Sequence, residues 1–301
     1  MGTMVMQLIR IHSAARRLGQ ILRRASARTL LIVLVFSLDP LLADAQAETV
    51  QARIAKPTWV SQITPLPASD GSAPRSIKLF YEGSWSRWVQ AGSLQMSFFR
   101  SSGSIEATSY MTSRGAVRAI WPFESTTTSQ ISPRKLIPNH FEHVQTERGA
   151  SEEYEADYRN GIMRINSIIT PGDASKPERE SRSYHLEQIR DVHSALLFLQ
   201  RADLRPNRTV TLLVQPVDSL YLVSLEVAGR ERRKVSNKQW NTIKLNVQVR
   251  KIRGNLKLAP YTKMRSATLW VSDDHYRIPV EIQTDLFIGF VSVRLVGHSV
   301  N

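Results

Sequence analysis

The feature that most constrains the fold is a long succession of strand-like runs. From residue 77 onward, alternating or apolar runs follow one another roughly a dozen residues apart, separated by Gly, Asn, Pro and Asp. So many short runs leave little room for helices. Thirteen runs have this character: IKLFYEG, SLQMSFF, SIEATSYM, AVRAIW, HFEHVQTE, EEYEADYR, GIMRINSII, VTLLVQPV, LYLVSLEVA, TIKLNVQVRK, SATLWVS, YRIPVEIQT and FIGFVSVRLV.

Two of these runs carry specific β signals. In TIKLNVQV, the apolar residues at 243, 245, 247 and 249 alternate with polar ones, which predicts one buried and one solvated face. In YRNGIMRI, Asn160-Gly161 lies between two strand-like arms and predicts a tight hairpin turn.

The segment DVHSALLFLQRA is predicted to form the single helix. Asp191 can cap its N-terminus, an apolar stripe would contain Val192, Leu196 and Leu199, and Pro206 prevents a continuation. The predicted fold class is therefore all-β and mainly antiparallel. We expect a curled or barrel-like sheet with one short helix packed against it or capping one end.

The N-terminal region has the layout of an export signal. Residues 1–28 contain six Arg and no acid, and the apolar run Leu30–Leu38 is too short to span a bilayer. Ala45-Gln46-Ala47 offers a cleavage site, so we predict a signal peptide over 1–47 that is cleaved near Ala47. An uncleaved membrane anchor is the alternative. A flexible linker is predicted over 48–76, and a single β-rich domain over 77–301, located in the periplasm or cell envelope.

The absence of Cys from the sequence excludes several kinds of site. Disulfides, thiolate metal sites, Cys nucleophiles and a bacterial lipoprotein anchor all require a thiol. The sequence also lacks a Gly-x-Ser-x-Gly nucleophile motif and a phosphate-binding glycine loop. We therefore predict no catalytic residue, no metal ligand and no cofactor.

Three stretches together resemble a known bacterial family. They are YEGSWSRWVQAGSLQMSF, DVHSALLFL and ATLWVSDDHYRIPVEIQTDLFIGFVSVRL. They resemble the exported family called domain of unknown function 3108, over about residues 77–297. The shared features are an early Tyr-bearing strand followed by Ala91-Gly92, a helix starting Asp-x-x-Ser-Ala, and a late Trp-x-Ser-x-Asp hairpin with Pro-Val. The resemblance implies an envelope location and a β-rich fold, and it carries no assigned activity.

The acid and histidine clusters are interpreted as structural. Asp273, Asp274 and His275 lie between two strand-like runs, where Asp favours turns because its carboxylate accepts hydrogen bonds from nearby backbone amides. His140 and His143 are three residues apart in a strand, so their rings point to opposite faces. Other acids have no diagnostic spacing: Glu142, Glu152, Glu153, Glu155 and Asp157.

Trp85 and Trp88 are the aromatic candidates for ligand contact. They could stack on a sugar ring or contact a lipid chain, but large aromatic side chains in β proteins more often fill the core.

Charge is distributed unevenly along the chain, whose formal net charge is +14. Residues 230–257 contain ten basic side chains against Glu231 alone. We predict that these cations concentrate at loop tips and on one exposed face, where they would attract an anionic partner. The predicted anion-binding residues are Arg230, Arg232, Arg233, Lys234, Lys238, Arg250, Lys251, Arg253 and Lys257, with Lys244 in the same segment.

The functional prediction is an exported, non-catalytic envelope protein that binds or supports an anionic or amphipathic component. An anionic phospholipid, lipopolysaccharide or an acidic glycan would fit, with peripheral membrane contact, while export argues against nucleic acid. The sheet interior could offer an apolar pocket. One alternative is an envelope hydrolase or polysaccharide-modifying enzyme with a carboxylate-based site. Another is a docking partner in an envelope assembly that uses the basic edge for contact. The basic segment has its own alternative, a solvated edge that binds no partner and discourages strand-to-strand aggregation.

Overall fold

The computed structural model describes residues 57–67, 75–86, 89–173, 176–286 and 289–301. The predicted signal peptide and Trp88 lie outside these residues. Within them, a 3₁₀ helix (Thr58–Gln62) and two α-helices, α1 (Gly115–Ile120) and α2 (Val192–Arg201), accompany a sheet of sixteen strands. No helix in the described part is both long and apolar enough to cross a membrane.

The strands follow the chain closely, and most neighbours in the sheet are neighbours in sequence. Their bounds are β1 (Ser76–Trp85), β2 (Val89–Arg100), β3 (Ile105–Ser113), β4 (Phe123–Ile131), β5 (Pro138–Glu147), β6 (Ala150–Arg159), β7 (Ile162–Thr170), β8 (Glu178–His185), β9 (Ile189–Arg190), β10 (Thr209–Val214), β11 (Leu220–Val235), β12 (Lys238–Ile252), β13 (Leu258–Pro260), β14 (Ser266–Ser272), β15 (Pro279–Asp285) and β16 (Phe290–Val300).

The sheet is curled, and its two ends come close together without closing. Its order runs from β8 back to β1, then through β16, β15, β14, β12, β11 and β10 to β9, and β13 pairs with β12. The described pairings are antiparallel except for β9 with β10. Because only residues 186–188 connect β8 to β9, the opposite edges of the sheet lie within the reach of a few residues. The predicted all-β, mainly antiparallel fold class is confirmed.

The buried apolar side chains form three clusters. The first packs β1–β4 against α1 and residues 278–295, and the second lies beneath α2 and β10–β14. The third joins the two ends of the sheet, since Phe141 and Ile165 of one end pack with Ile189, Leu213 and Leu220 of the other. Packing in this third cluster stabilises the curled shape of the sheet.

Residues 57–67 lie within the segment predicted as a flexible linker, and in the structure they pack against the sheet. Trp59 is buried and its indole N–H donates to the Leu256 carbonyl oxygen at 2.9 Å. The backbone N–H of Thr64 donates to the Thr211 carbonyl oxygen at 2.8 Å. This stretch is therefore attached to the domain by both packing and hydrogen bonds.

The local β signals correspond to the structure. Asn160 and Gly161 have φ of 52° and 75°, as a type I′ turn between β6 and β7 requires. In β12 the odd-numbered residues from Ile243 to Val249 are buried, while Lys244, Asn246 and Gln248 remain at least partly exposed.

The run AVRAIW was predicted as a strand, and this prediction is wrong, because residues 115–120 form α1. The helix places Val117 and Trp121, four residues apart, on one buried side. Gly115 has φ of 59°, which turns the chain away from the direction of β3. The apolar residues that alternate as in a strand are therefore buried by one helical turn instead.

Helix α2 begins as predicted, but its buried side differs from the predicted stripe. The Asp191 carboxylate accepts from the Ser194 backbone N–H at 2.6 Å, which is the expected N-cap bond. The buried residues are His193, Ser194, Leu197, Phe198 and Leu199, so Val192 and Leu196 are only half-buried. The first turn of the helix packs on polar interior residues, since His193 meets Ser129. The last turn packs on apolar ones through Phe198 and Leu199.

Candidate functional site

The most distinctive surface feature is a projecting hairpin formed by β11 and β12. Their pairing continues from Leu220 with Ile252 out to Val235 with Lys238, whereas β14 pairs with β12 only between Thr242 and Val247. The outer half of the hairpin therefore has no strand beside it on the β14 side. We call residues 229–241 the arm.

The arm packs against the face of β14–β16 that carries Trp270 and Glu281, and its Val235 and Trp240 belong to the first apolar cluster. Trp270 and Ser272 share this face with Glu281 and Ser292, and all four are buried although their neighbours Leu269 and Val271 supply the core-facing side. The arm contacts β16 directly, because the Ser236 hydroxyl donates to the Leu295 carbonyl oxygen and the Trp240 ring lies 5.3 Å from that of His298.

Arg233 forms the central contact under the arm. Its Nε donates to Glu281 Oε2 at 2.6 Å, and its guanidinium lies 3.5 Å from the centre of the Trp270 ring. Glu281 also accepts from the Ser292 hydroxyl at 2.8 Å. The side chains of Arg233 and Glu281 are 21% and 8% exposed, so this ion pair is largely removed from water.

Glu231, also on the arm, makes a second contact with the sheet. It accepts from the Trp270 indole N–H at 2.7 Å and lies 3.7 Å from Arg233 and 3.9 Å from Lys244. Val235, two residues beyond Arg233, is buried as well. Because side chains alternate along a strand, residues 231, 233 and 235 together anchor one side of the arm.

The same alternation turns Arg232 and Lys234 to the other side, where both are exposed. Within the described part of the chain, no carboxylate lies within ion-pair distance of either residue. Lys238 is also exposed and lies 3.9 Å from the Trp240 ring centre. Arg230, at the base of the arm, differs because its Nε donates to Asp273 at 2.8 Å.

The remaining predicted cations lie at the opposite end of the hairpin. Arg250 donates to the Gln62 side chain, and Lys251 is half-buried. Arg253 and Lys257 are exposed in the turn before β13, which is closed by the bond from the Arg253 N–H to the Lys257 carbonyl oxygen. The 15 residues of β12 span at most about 50 Å at about 3.3 Å per residue, and the predicted residues form two groups at its two ends.

Asp273, Asp274 and His275 form a turn between β14 and β15, as the sequence predicts. Asp274 Oδ1 accepts from the backbone N–H groups of Tyr276 and Arg277 and from the Ser272 hydroxyl. Asp273 pairs with Arg230, and His275 is exposed. Pro279 follows at a bulge opposite Trp270 and Val271, where a missing N–H is tolerated.

The interior contains two histidines whose hydrogen bonds are satisfied by the protein. His143 Nε2 faces Gln145 Oε1 at 3.3 Å, and its Nδ1 lies 2.7 Å from the Thr127 hydroxyl. Burial lowers the pKa of His143 from 6.5 to about 4. His193 lies between the hydroxyls of Ser129 and Ser109, and burial lowers its pKa also. Both rings are therefore neutral structural groups.

The outer face of β5 and β6 carries His140 and three of the predicted acids, Glu142, Glu155 and Asp157. His140 Nδ1 lies 3.1 Å from Asp157 Oδ1, and its Nε2 lies 3.1 Å from Glu142 Oε1. Partial burial alone would lower the pKa of His140. The hydrogen bonds with Glu142 and Asp157 raise it by more, so its pKa lies above 6.5. Glu155, paired with Glu142 across the strands, completes this outer cluster. Glu152 points inward, where it accepts from the Tyr154 hydroxyl.

Trp85 and an apolar cleft represent the predicted ligand-contact features. Trp85 is half-buried against the first apolar cluster. A cleft of about 280 Å³, including its open mouth, lies between α2 and residues 277–279, beside Ile77 and Leu79. Only about 10 Å³ of this space is enclosed, against roughly 300–1,000 Å³ for typical small-molecule sites.

A family model described as protein of unknown function (DUF3108) matches residues 80–296. The chain belongs to this family. The match spans β1 to β16 and so includes both the arm and the outer cluster. No protein of curated function matches the sequence.

Among solved structures, the chain is similar to a β-barrel-like protein of domain of unknown function DUF1849 from Brucella abortus. The TM-score is 0.52 at 11% identity, over 76% of this chain and 99% of that one, which shows a shared fold. A protein described as a lipoprotein from Parabacteroides distasonis gives a TM-score of 0.30 at 6% identity, covering 75% of this chain and 97% of its own. A protein described as exported, with a YmcC-like fold, from Bacteroides fragilis gives a TM-score of 0.28 at 7% identity, covering 79% of this chain and 99% of its own.

Proposed function

We propose that this protein is an exported, non-catalytic envelope protein whose arm contacts the anionic headgroups of an envelope lipid or lipopolysaccharide. The observation that carries the proposal is the division of the arm into two sides. Glu231, Arg233 and Val235 hold one side against the sheet, and Arg232 and Lys234 face solvent on the other. A cation without an acidic neighbour keeps its attraction for an external anion.

The attachment of the arm to the sheet lowers the entropy cost of binding. A free hairpin would lose conformational entropy when it bound a surface, whereas an arm already held by the Arg233–Glu281 bond presents its cations in a defined arrangement. The basic residues near a charged membrane contribute about 1 kcal/mol each to association. Two or three exposed cations on the arm therefore support weak, salt-sensitive contact.

The packing of the interior favours surface contact over an internal lipid site. The described interior is occupied by the three apolar clusters and by the hydrogen-bonded histidines. Export is supported by the arginine-rich segment and apolar run that precede Ala47. An extracytoplasmic location would expose the arm to phosphate-bearing lipids and to lipopolysaccharide.

The test is cosedimentation of the protein with phosphatidylcholine vesicles that contain or lack phosphatidylglycerol, and separately with lipopolysaccharide. We expect binding only to the anionic preparations, weakening with added salt. Replacing Arg232 and Lys234 together by Gln removes two charges, which should weaken partition about 30-fold at ~1 kcal/mol per cation.

The matched control is the double replacement of Arg253 and Lys257 by Gln. It removes the same charge from the other end of the hairpin and should leave binding nearly unchanged. Equal losses in both variants would show an effect of net charge alone and contradict a role for the arm. Failure to bind any anionic preparation would contradict lipid contact and favour the docking alternative.

A further inference from the structure

The outer cluster on β5 and β6 has the composition and geometry of a metal site. One nitrogen of His140 and one carboxylate oxygen each from Glu155 and Asp157 all lie within 4.8 Å of one another. Ligands bound tetrahedrally at about 2.1 Å lie about 3.4 Å apart, so the atoms would have to approach one another by about 1.4 Å at most, which side-chain rotation can supply.

The strand register explains why these side chains meet. His140 pairs with Asp157, and Glu142 pairs with Glu155 two residues further along, so all four project from the same face of adjacent strands. Phe141 and Ala156, on the opposite face, are fully buried and hold both strands against the core. The cluster is therefore built on a rigid part of the sheet rather than on a loop.

The orientation of His140 separates this cluster from an ordinary acidic patch. Its Nδ1 faces Asp157 and its Nε2 faces Glu142. A metal ion on Nδ1 would leave the Nε2–H donating to Glu142, which in turn accepts from the Thr128 hydroxyl at 3.2 Å. A carboxylate that orients a ligating histidine through its second nitrogen is the usual supporting arrangement at protein metal sites.

The balance of charge on this face also suits a cation. Glu142 and Glu155 are directly opposed across the strands, and like charges in that position are destabilising. Arg164 on β7 pairs with Asp157 and is exposed, so one positive side chain is already nearby. The three carboxylates still outnumber His140 and Arg164, and a divalent ion would balance the excess.

We propose that His140, Glu155 and Asp157 bind a divalent transition metal ion of the Zn²⁺ type, with Glu142 as a positioning residue for His140. An imidazole nitrogen combined with carboxylate oxygens favours such an ion over Mg²⁺ or Ca²⁺, which prefer oxygen ligands alone. Three protein ligands on an exposed face leave coordination positions open to water or to an external ligand.

The test is isothermal titration calorimetry of untagged, chelator-treated protein with ZnCl₂, and with CaCl₂ and MgCl₂ as competing ions. We expect one Zn²⁺ per chain, and losses of affinity of about tenfold or more in the His140→Gln and Asp157→Asn variants. Co²⁺ substitution supplies a second readout, because its visible absorption should change when His140 is replaced.

Glu153→Gln is the matched control, since Glu153 is an exposed acid on the same face of β6, two residues from Glu155. It should leave Zn²⁺ affinity and the Co²⁺ spectrum unchanged. The proposal is overturned if Zn²⁺ does not bind stoichiometrically, if His140→Gln binds as well as the wild type, or if Ca²⁺ and Mg²⁺ bind equally. Circular dichroism of each variant confirms that a loss of binding is not a loss of folding.

Discussion

The arm and the outer cluster both place a basic side chain between two carboxylates, but in different environments. Under the arm, Arg233 lies 2.6 Å from Glu281 and 3.7 Å from Glu231, and the Glu281 side chain is only 8% exposed. On the outer face, His140 lies 3.1 Å from both Glu142 and Asp157, whose side chains are 58% and 45% exposed.

This difference separates a structural ion pair from an exchangeable one. Arg remains protonated at any ordinary pH, and removing it would leave Glu281 as an uncompensated carboxylate with little access to water. His140 can give up a proton, and its carboxylates are hydrated with or without it. The first arrangement stabilises the arm, whereas the second can accept another cation.

The largest expected effect is the loss of the buried pair. Arg233→Ala should lower the free energy of unfolding by about 3 kcal/mol, because it leaves Glu281 without its partner and uncovers Trp270. Arg232→Ala, one residue away on the exposed side, should change it by less than about 0.5 kcal/mol. Urea unfolding followed by tryptophan fluorescence measures both. Equal effects would mean that the two sides of the arm are not distinct.

A second prediction concerns His143, on the face of β5 opposite to His140. Its pKa is lowered to about 4 by burial, so the unfolded chain binds this proton more readily than the folded one. Stability should therefore fall as the pH decreases from about 6.5 to about 4, by up to about 3 kcal/mol from this residue. His193, whose pKa is also lowered, contributes in the same direction.

His143→Gln keeps a polar side chain and removes the titration. The slope of unfolding free energy against pH should be smaller in this variant than in the wild type, whatever its stability at pH 7. An unchanged slope would show that His143 has the same pKa in the folded and unfolded protein, and the contrast between the two faces of β5 would fail.

A small effect is also expected at His140, the exposed counterpart of Arg233 in this comparison. Without added metal, His140→Gln should change the free energy of unfolding by less than about 1 kcal/mol, and added salt should reduce the difference further. Thermal unfolding at low and high salt provides the measurement. A loss as large as that of Arg233→Ala would mean that solvent exposure does not distinguish the two sites.

The sequence did not predict four of the strands, β4, β8, β9 and β13, and the two long ones share a physical cause. In β4, FESTTTSQI, the inward positions include Ser125 and Ser129, both buried, so the expected apolar alternation is absent. Ser129 is accommodated because its hydroxyl meets His193, which is 64 residues away in sequence. In β8, ERESRSYH, nearly every residue is exposed, since this strand forms an edge of the sheet. Neither pattern contains the periodicity of a half-buried strand.

The outer cluster was missed for a related reason. His140 and His143 were correctly separated onto opposite faces, but the partners of His140 come from the next strand. Asp157 reaches His140 only through the register of β5 with β6, which the turn between Glu147 and Ala150 determines. The relevant signal was the recurrence of acids two residues apart in β6, at Glu153, Glu155 and Asp157. That spacing became meaningful once the pairing of the strands was known.

The sequence by itself determined the fold class, the Asn160-Gly161 turn, the start of α2 and the concentration of basic residues, because each depends on local conformational preference or on composition. Only the tertiary structure decided that Arg233 is used internally while Arg232 is presented to solvent, and that His140 meets Asp157. Alternation assigns neighbouring residues to opposite sides of a strand, but the packing of distant strands decides which side is covered. Whether a charged side chain forms an internal ion pair or remains available to an external partner depends on which side is buried.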